Sequence, residues 1–237
     1  MVAFAQLAVV SDAYSADAAR MLEDLRREEA SANPGDVISH EHRVALSTRA
    51  LAKASGVSRD DVELMTLAAR YHDIGKLDVP AEILNKPGRF TPEERALVER
   101  HAEFGARRLE RIPGISPTMV DAARYHHERF DGNGYAGLTG EAIPLVARII
   151  AIADVHDALA AKRVYKEPMP EAEVLLAMTS DEAFPALGHR AFDPGLLRTF
   201  VELRLASSGF EATEAQLAEL RAFVDSPAPD ASATWRP

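Results

Sequence analysis

The chain has 237 residues, 47% hydrophobic and 27% charged, which suits one globular unit with a sizeable core. Its formal net charge of −10 argues against a basic surface for a nucleic-acid polymer, and no apolar run is long enough for a membrane span. Cysteine is absent, so disulfides, thiol nucleophiles and cysteine zinc sites are excluded, a cytoplasmic address is permitted, and any metal must rest on His, Asp or Glu.

The N-terminus, "MVAFAQLAVVSDAYSADAAR", has a short apolar stretch but no basic residue before Arg20, so it does not fit a secretory signal. "SADAARMLEDLRREEA" is amphipathic, with Tyr14, Ala18, Met21, Leu22 and Leu25 at helical spacing, and "NPGD" breaks it. "VISHEHRVALSTRALAKAS" resumes helix and stops at Gly56, a natural C-cap residue. "SRDDVELMTLAARYHDIG" is expected to run as one helix from an N-cap at Ser58 to Gly75. "TPEERALVERHAEFGARRLERI" is expected as another single helix, with Thr91 as N-cap, Pro92 at the first position and Glu94 completing a capping box. Further helices are expected at about 117–128, 144–161, 171–179, 194–206 and 213–224, with a disordered tail over 226–237. No strand alternation is convincing. The expected architecture is all-α, a helical bundle over 36–225 preceded by a helical segment 1–35.

Polar residues at unlikely places carry the functional signal. His72 and Asp73 are adjacent near the end of an apolar helix, where a cation site competes with simple dipole-favoured placement. His40 lies on an earlier helix, His101 within a later one, and His126 and His127 close a third. Asp154 is embedded in the apolar run "ARIIAIADVHDAL", where an unpaired carboxylate is costly. Any one of these reads more readily as a hydrogen-bonded core or surface residue. Together they can converge in one bundle, as helix bundles do for dimetal sites. Imidazole and carboxylate donors suit Mn, Fe, Zn or Ni better than Ca or Mg. Seven candidates are too many for one ion and suit two sharing a carboxylate, an arrangement that drives phosphoryl displacement.

The ordered pieces "HEHRVA", "AARYHDIGKLDVPAEILNKPGRFTPEE", "HAEFGARRL", "HHERFDGNGYAGL", "IPLVARIIAIADVHDALAAKRVYK" and "FDP" resemble the HD superfamily of metal-dependent phosphohydrolases, and more narrowly the HD-GYP family of cyclic di-GMP phosphodiesterases. The resemblance implies an HD-type helical bundle carrying two divalent ions, Fe or Mn, with Asp73 bridging. His40, His72 and Asp154 would complete one ion, and His101, His126 and His127 the other. It implies a metal-bridging hydroxide attacking phosphorus in line with the departing 3′ oxygen, giving linear pGpG and onward GMP. Lys76 would hold a substrate phosphate, Arg163 and Lys166 match phosphate-contacting residues, and Tyr165 would stack on a guanine. Asp36 occupies the place of a third-metal ligand in some members, although an Asp after "NPG" is equally an N-cap. Asp157 is expected to orient a ligand or Arg163. His42, His156 and His189 fall off the pattern: His42 is expected to be exposed and His189 to lie in a loop, and none is expected to bind metal.

One departure stands out. The family's "GYP" here reads Gly134-Tyr135-Ala136, and losing the proline ring is expected to free the turn somewhat. In the family this glycine-rich loop, here 132–138, is linked to contacts with GGDEF-type signalling partners, so that role is the more affected one, while catalysis is expected to survive. Rival readings are a catalytically weak sensor of cyclic dinucleotides or proteins, and a hydrolase for another nucleotide, including a mixed cyclic dinucleotide. A homodimer through the N-terminal helix is a further expectation.

Overall fold

The computed structural model describes residues 14–32, 37–160, 168–180 and 188–226. Asp36, Arg163, Tyr165, Lys166 and the tail beyond 226 lie outside them, so their expected roles are not addressed by the structure. All regular elements among the described residues are helical. In chain order they are α1 (Ala16–Ala32), α2 (Val37–Ala54), α3 (Arg59–Ala69), a 3-10 turn (Ile74–Asp78), α4 (Ala81–Leu84), α5 (Pro92–Glu99), α6 (His101–Glu110), α7 (Pro117–Tyr125), α8 (Leu145–Ala160), α9 (Glu171–Thr179), α10 (Pro194–Leu205) and α11 (Glu214–Asp225). Short 3-10 helices also occur at Gly140–Ala142 and His189–Ala191, so His189 is not in an open loop. None of the helices is long and apolar enough to cross a membrane.

Helix α8 is the axis of the bundle. Val146, Ile149, Ile150, Ile152 and Ala153 are all buried, because this helix is apolar nearly all round and must be covered on most sides. Helices α2, α7, α9 and α10 pack on it, α3 packs on α2 and α7, and α6 packs on α7 and on the 3-10 turn. Asp154 therefore projects from the most central element of the fold.

Local chemistry fixes the boundaries. Ser58 caps α3 through Asp61 N, Thr91 and Glu94 form the expected capping box on α5, and Asp193 caps α10 through the amides of Gly195 and Leu196. Two expected long helices are each broken. The helix expected to run from Ser58 to Gly75 stops at Ala69, where Arg70 and Tyr71 close 3-10 bonds onto Leu67 and Ala68. The helix expected from Thr91 to Ile112 divides at Arg100, so His101 opens α6 instead of lying mid-helix. Helix α7 ends at Tyr125, placing His126 and His127 just past it.

Helix α1 is packed into this bundle. Ala18 and Leu22 are fully buried, while Met21, expected on the apolar face, is exposed. Arg108 on α6 joins Glu28 of α1 to Asp78 of the 3-10 turn at 3.1 and 2.7 Å. Arg26 pairs with buried Glu41 on α2, donates to the Arg70 carbonyl at 3.0 Å and lies over the Tyr71 ring. Burial pushes the nearby Glu29 carboxyl up to about 7 despite Arg26. Helix α1 thus covers the 3-10 turn that directly follows His72 and Asp73.

Candidate metal centre

The three central histidines share one construction. Each lies at a helix break, and its Nδ1 donates to a carbonyl of the last residues before that break. His72 Nδ1 reaches Ala69 O at 2.7 Å, His101 Nδ1 reaches Val98 O at 2.6 Å, and His126 Nδ1 reaches Ala123 O at 3.0 Å. Helix ends expose such carbonyls as a rule. A carbonyl only accepts, so Nδ1 carries the proton and the bare Nε2 of each ring faces inward. His40 is held from the side chain of Asp157, whose Oδ2 lies 2.7 Å from His40 Nδ1. Arg43 grips that same carboxylate at 2.6 and 3.0 Å. The expected orienting role of Asp157 is therefore seen toward His40, with Arg43 as the described basic partner.

Asp73 lies between two sets of these nitrogens. Its Oδ1 is 3.3 Å from His101 Nε2 and 3.6 Å from His126 Nε2. Its Oδ2 is 3.4 Å from His72 Nε2 and 4.0 Å from His40 Nε2, and it also takes an ion pair from Lys76. One donor atom each from Asp73, His101, His126 and His127 falls within a 4.8 Å cluster, and the same holds for His40, His72 and Asp73. Asp154 Oδ1 joins the second set at 3.3 Å from His40 and 4.0 Å from His72. Donors bonded to one ion at about 2.1 Å lie roughly 3 to 4 Å apart, and the separations around Asp73 and Asp154, 3.3 to 4.0 Å, are of that size.

The interior is incomplete without cations. His72 Nε2 and Asp73 Oδ1 are buried without a hydrogen-bond partner, a costly condition. His101 Nε2 and His126 Nε2 face each other at 3.2 Å with their protons already committed to the opposite nitrogens. Burial pushes His126 down to about 4, and burial with neighbouring His126 pushes His127 well below its ordinary value, so added protons do not fill the gap on the His126 and His127 side near neutral pH; burial opposes charge on His72 too, but Asp73 outweighs it and raises that ring. Burial opposes charge on His40 as well, but Asp154 and Asp157 outweigh it and raise the ring to about 9. Burial also opposes ionisation of Asp73, yet Lys76 and the neighbouring histidines hold it well below the carboxylate range. Two divalent ions fit this donor set and would satisfy each of the orphaned atoms.

Close backbone approach makes the arrangement feasible. A Cβ on Gly75 would collide with His101 O and Gly105 N and lie 2.9 Å from Gly105 Cα. The missing side chain lets the turn bearing Asp73 lie directly on α6, beside His101. Gly134 plays the same part in the following loop, where a Cβ would come within 2.5 Å of Glu128 Cα and 2.9 Å of His127 O.

Sequence reasoning missed Glu128. It is buried and accepts from Ala136 N at 2.6 Å and Leu138 N at 2.7 Å, fastening the glycine-rich loop beside the candidate metal ligands. Its signal was an acid directly after the histidine pair. This corrects the expectation that Ala136 loosens the loop: proline has no N–H, so only a non-proline residue can make the first of these bonds. The off-pattern histidines stay out of the centre. His156 is buried against Phe200 and bonds Glu171 at 2.9 Å. His42 is half-buried instead of exposed, and like His189 it is in neither donor cluster.

A family model described as HD domain matches residues 19–185. Among curated proteins the chain is 41% identical over 170 residues to a cyclic di-GMP phosphodiesterase of Pseudomonas aeruginosa, covering 70% of this chain and 39% of the relative. It is 38% identical over 178 residues to a cyclic di-GMP phosphodiesterase response regulator of Xanthomonas campestris, covering 70% and 44%. It is 37% identical over 166 residues to a 3′3′-cGAMP-specific phosphodiesterase of Vibrio cholerae, covering 69% and 31%. The chain thus spans less than half the length of these relatives. A solved HDG"Y"P protein from Bdellovibrio bacteriovorus has the same fold, with a TM-score of 0.57, 22% identity, and coverage of 70% of this chain and 52% of that one.

Proposed function

Since the chain belongs to the HD domain family, we propose that it is a metal-dependent phosphodiesterase that opens cyclic di-GMP to linear pGpG, with onward cleavage to GMP. The observation that carries this reading is Asp73, one carboxylate whose two oxygens each face a separate set of imidazole nitrogens. Fe or Mn held by His40, His72, Asp154 and Asp73 on one side, and by His101, His126, His127 and Asp73 on the other, would supply an activated water and neutralise phosphate charge. The protein's own part is preorganisation. Carbonyls hold His72, His101 and His126 with Nδ1 protonated and Nε2 turned inward, and Asp157 orients His40, whose second proton an ion would displace from Nε2. Lys76, half-exposed beside Asp73, is placed to exchange that ion pair for a substrate phosphate and to stabilise charge in the transition state. Neutralisation matters here because a chain with net charge −10 otherwise repels a dianionic dinucleotide.

The test is to incubate Mn- or Fe-loaded protein with cyclic di-GMP, 3′3′-cGAMP and cyclic di-AMP and to resolve products by chromatography. Linear pGpG that disappears with Asp73→Ala is the expected result. Binding without product would instead identify a sensor. The match to a relative named as 3′3′-cGAMP-specific makes preference for the mixed dinucleotide the second reading, and the relative kcat/KM values decide it.

A further inference from the structure

We infer that Arg26 of α1 is a positioning residue for one ion of the centre, tying together from behind the two chain segments that bear His40 and His72. The inference rests on the dimetal reading above. Each of these two histidines has a neighbour that turns toward α1 instead. Glu41 follows His40 and is fully buried; Tyr71 precedes His72, is also buried, and donates from its hydroxyl to the Leu22 carbonyl of α1 at 3.4 Å. Arg26 reaches both places. A single nitrogen, Nη1, pairs with Glu41 Oε2, donates to the Arg70 carbonyl at 3.0 Å and lies 3.4 Å from Glu29 Oε2, while the guanidinium carbon lies 5.7 Å from the centroid of the Tyr71 ring. Arg70 is the C-cap of α3. The end of that helix is therefore held from two sides: His72 Nδ1 takes the Ala69 carbonyl from within, and Arg26 takes the Arg70 carbonyl from without. On the inner side of the tie the imidazoles of His40 and His72 converge, with centroids 5.7 Å apart.

Among the described residues Arg26 is the ion-pair partner of Glu41, and neither Glu41 oxygen has another polar contact. A buried guanidinium–carboxylate pair adds little stability over apolar side chains of the same size, because desolvation offsets the attraction. What such a pair adds is position. The Glu41 carboxylate, one residue along α2 from His40, is satisfied only where Nη1 stands, and the same nitrogen fixes the break in front of His72. The two ligand segments are thus referred to one atom of a third element. Tyr71 and Glu29 pack that atom in, and Arg26 itself is only 12% exposed. The other ion shares only Asp73 with these segments. Its remaining candidate ligands, His101, His126 and His127, lie on α6 and just past α7, and no hydrogen bond or ion pair joins Arg26 to them among the described residues. The seating of α1 is therefore coupled mainly to the ion on the His40 and His72 side.

The experiment titrates Mn into the metal-free full chain and follows hydrogen exchange of the α1 amides in parallel. Combining Arg26→Met with Glu41→Met removes the tie without stranding a buried charge, so the fold is expected to survive. Its titration should split into two classes, one weakened about 10-fold and the other changed by less. Arg26→Lys should recover most of the affinity, because the polar contacts are made by one nitrogen and an ammonium carries three donors. Mn should slow exchange of the α1 amides in the wild type, since coupling acts equally in both directions, and the double variant should lose that slowing. A wild-type titration in the double variant would overturn the inference, because Arg26 would then serve only to neutralise Glu41. Equal weakening of both classes would overturn it too, as a general loosening of the bundle. Should the double variant fold poorly, Glu41→Gln weakens the same tie with one atom changed; the same split, a few-fold in size, is expected, and its absence overturns the inference. Failure to cleave any cyclic dinucleotide with both Mn ions bound overturns the functional reading alone, because the inference is read from metal binding. Wild-type protein that binds no Mn overturns both.

Discussion

Replacing Gly75 by alanine tests the claim that a backbone contact builds the metal centre. The added methyl would sit 2.9 Å from Gly105 Cα and closer still to His101 O and Gly105 N, where ordinary contact begins at 3.4 Å. These are backbone atoms of α6, so no side chain can swing away, and the turn must retreat from the helix by about 1 Å. Overpacking of this kind costs about 3 kcal/mol, at the upper end of the usual range. Stiffening of the unfolded chain returns about 0.4 to 1 kcal/mol. The net loss is about 2 kcal/mol, or roughly 4 to 8 °C in the melting temperature of the metal-free protein. The functional loss is larger. Asp73 moves with the turn, and its Oδ1, now 3.3 Å from His101 Nε2, is carried off the donor set of His101, His126 and His127. Ligand distances tolerate only about 0.2 Å, and a 1 Å misplacement costs about 100-fold in rate. Anaerobic metal analysis, thermal melting with and without metal, and turnover of cyclic di-GMP together make the check. A Gly75→Ala protein with two ions per chain and wild-type kcat would refute the reasoning.

Asp157→Ala should weaken only the ion on the His40 side, by about 10- to 100-fold, and a metal titration should therefore split into one weakened and one unchanged class. Chelation should lower the melting temperature by about 8 to 16 °C for one ion present at a thousand times its Kd, reversed by adding Mn; identical melts with and without chelator would contradict the orphaned-donor argument. Glu171 gives the pH dependence: burial disfavours its charge, but His156 and Arg204 hold it down from its ordinary 4.5 to about 2. A depressed carboxylate stabilises above its unfolded value and loses that contribution as pH falls from 4.5 toward 2, worth about 1 kcal/mol once solvent screening of this part-exposed group is counted. Glu171→Gln should accordingly flatten the acid limb of a melting-temperature profile in that window and leave the alkaline side unchanged.

Much of this protein is legible in one dimension because much of it is local. Ser58, Thr91 with Glu94, and Gly56 marked their helix ends through hydrogen bonds or backbone freedom spanning a few residues. Asp154 was legible as a site residue because a carboxylate within an apolar helix demands a partner wherever that helix packs. The seven donor residues and their order along the chain carried the family resemblance. Which way those donors face was not legible. Propensity carries a helix through Tyr71 and through Arg100, whereas the folded chain breaks at both, because the packing of Gly75 on α6 and of α6 on α7 outweighs the few tenths of a kcal/mol per residue that propensity supplies. At those breaks the carbonyls of Ala69 and Val98 meet and lock His72 and His101. The split of Asp73 between two donor sets, the grip of Asp157 on His40 across 117 positions, and the fastening of the glycine-rich loop by Glu128 all depend on where separate segments meet. The sequence by itself determined the inventory of donors and the helices that carry them; only the tertiary structure decided their geometry, since tautomer, burial and close backbone approach are set by neighbours distant along the chain.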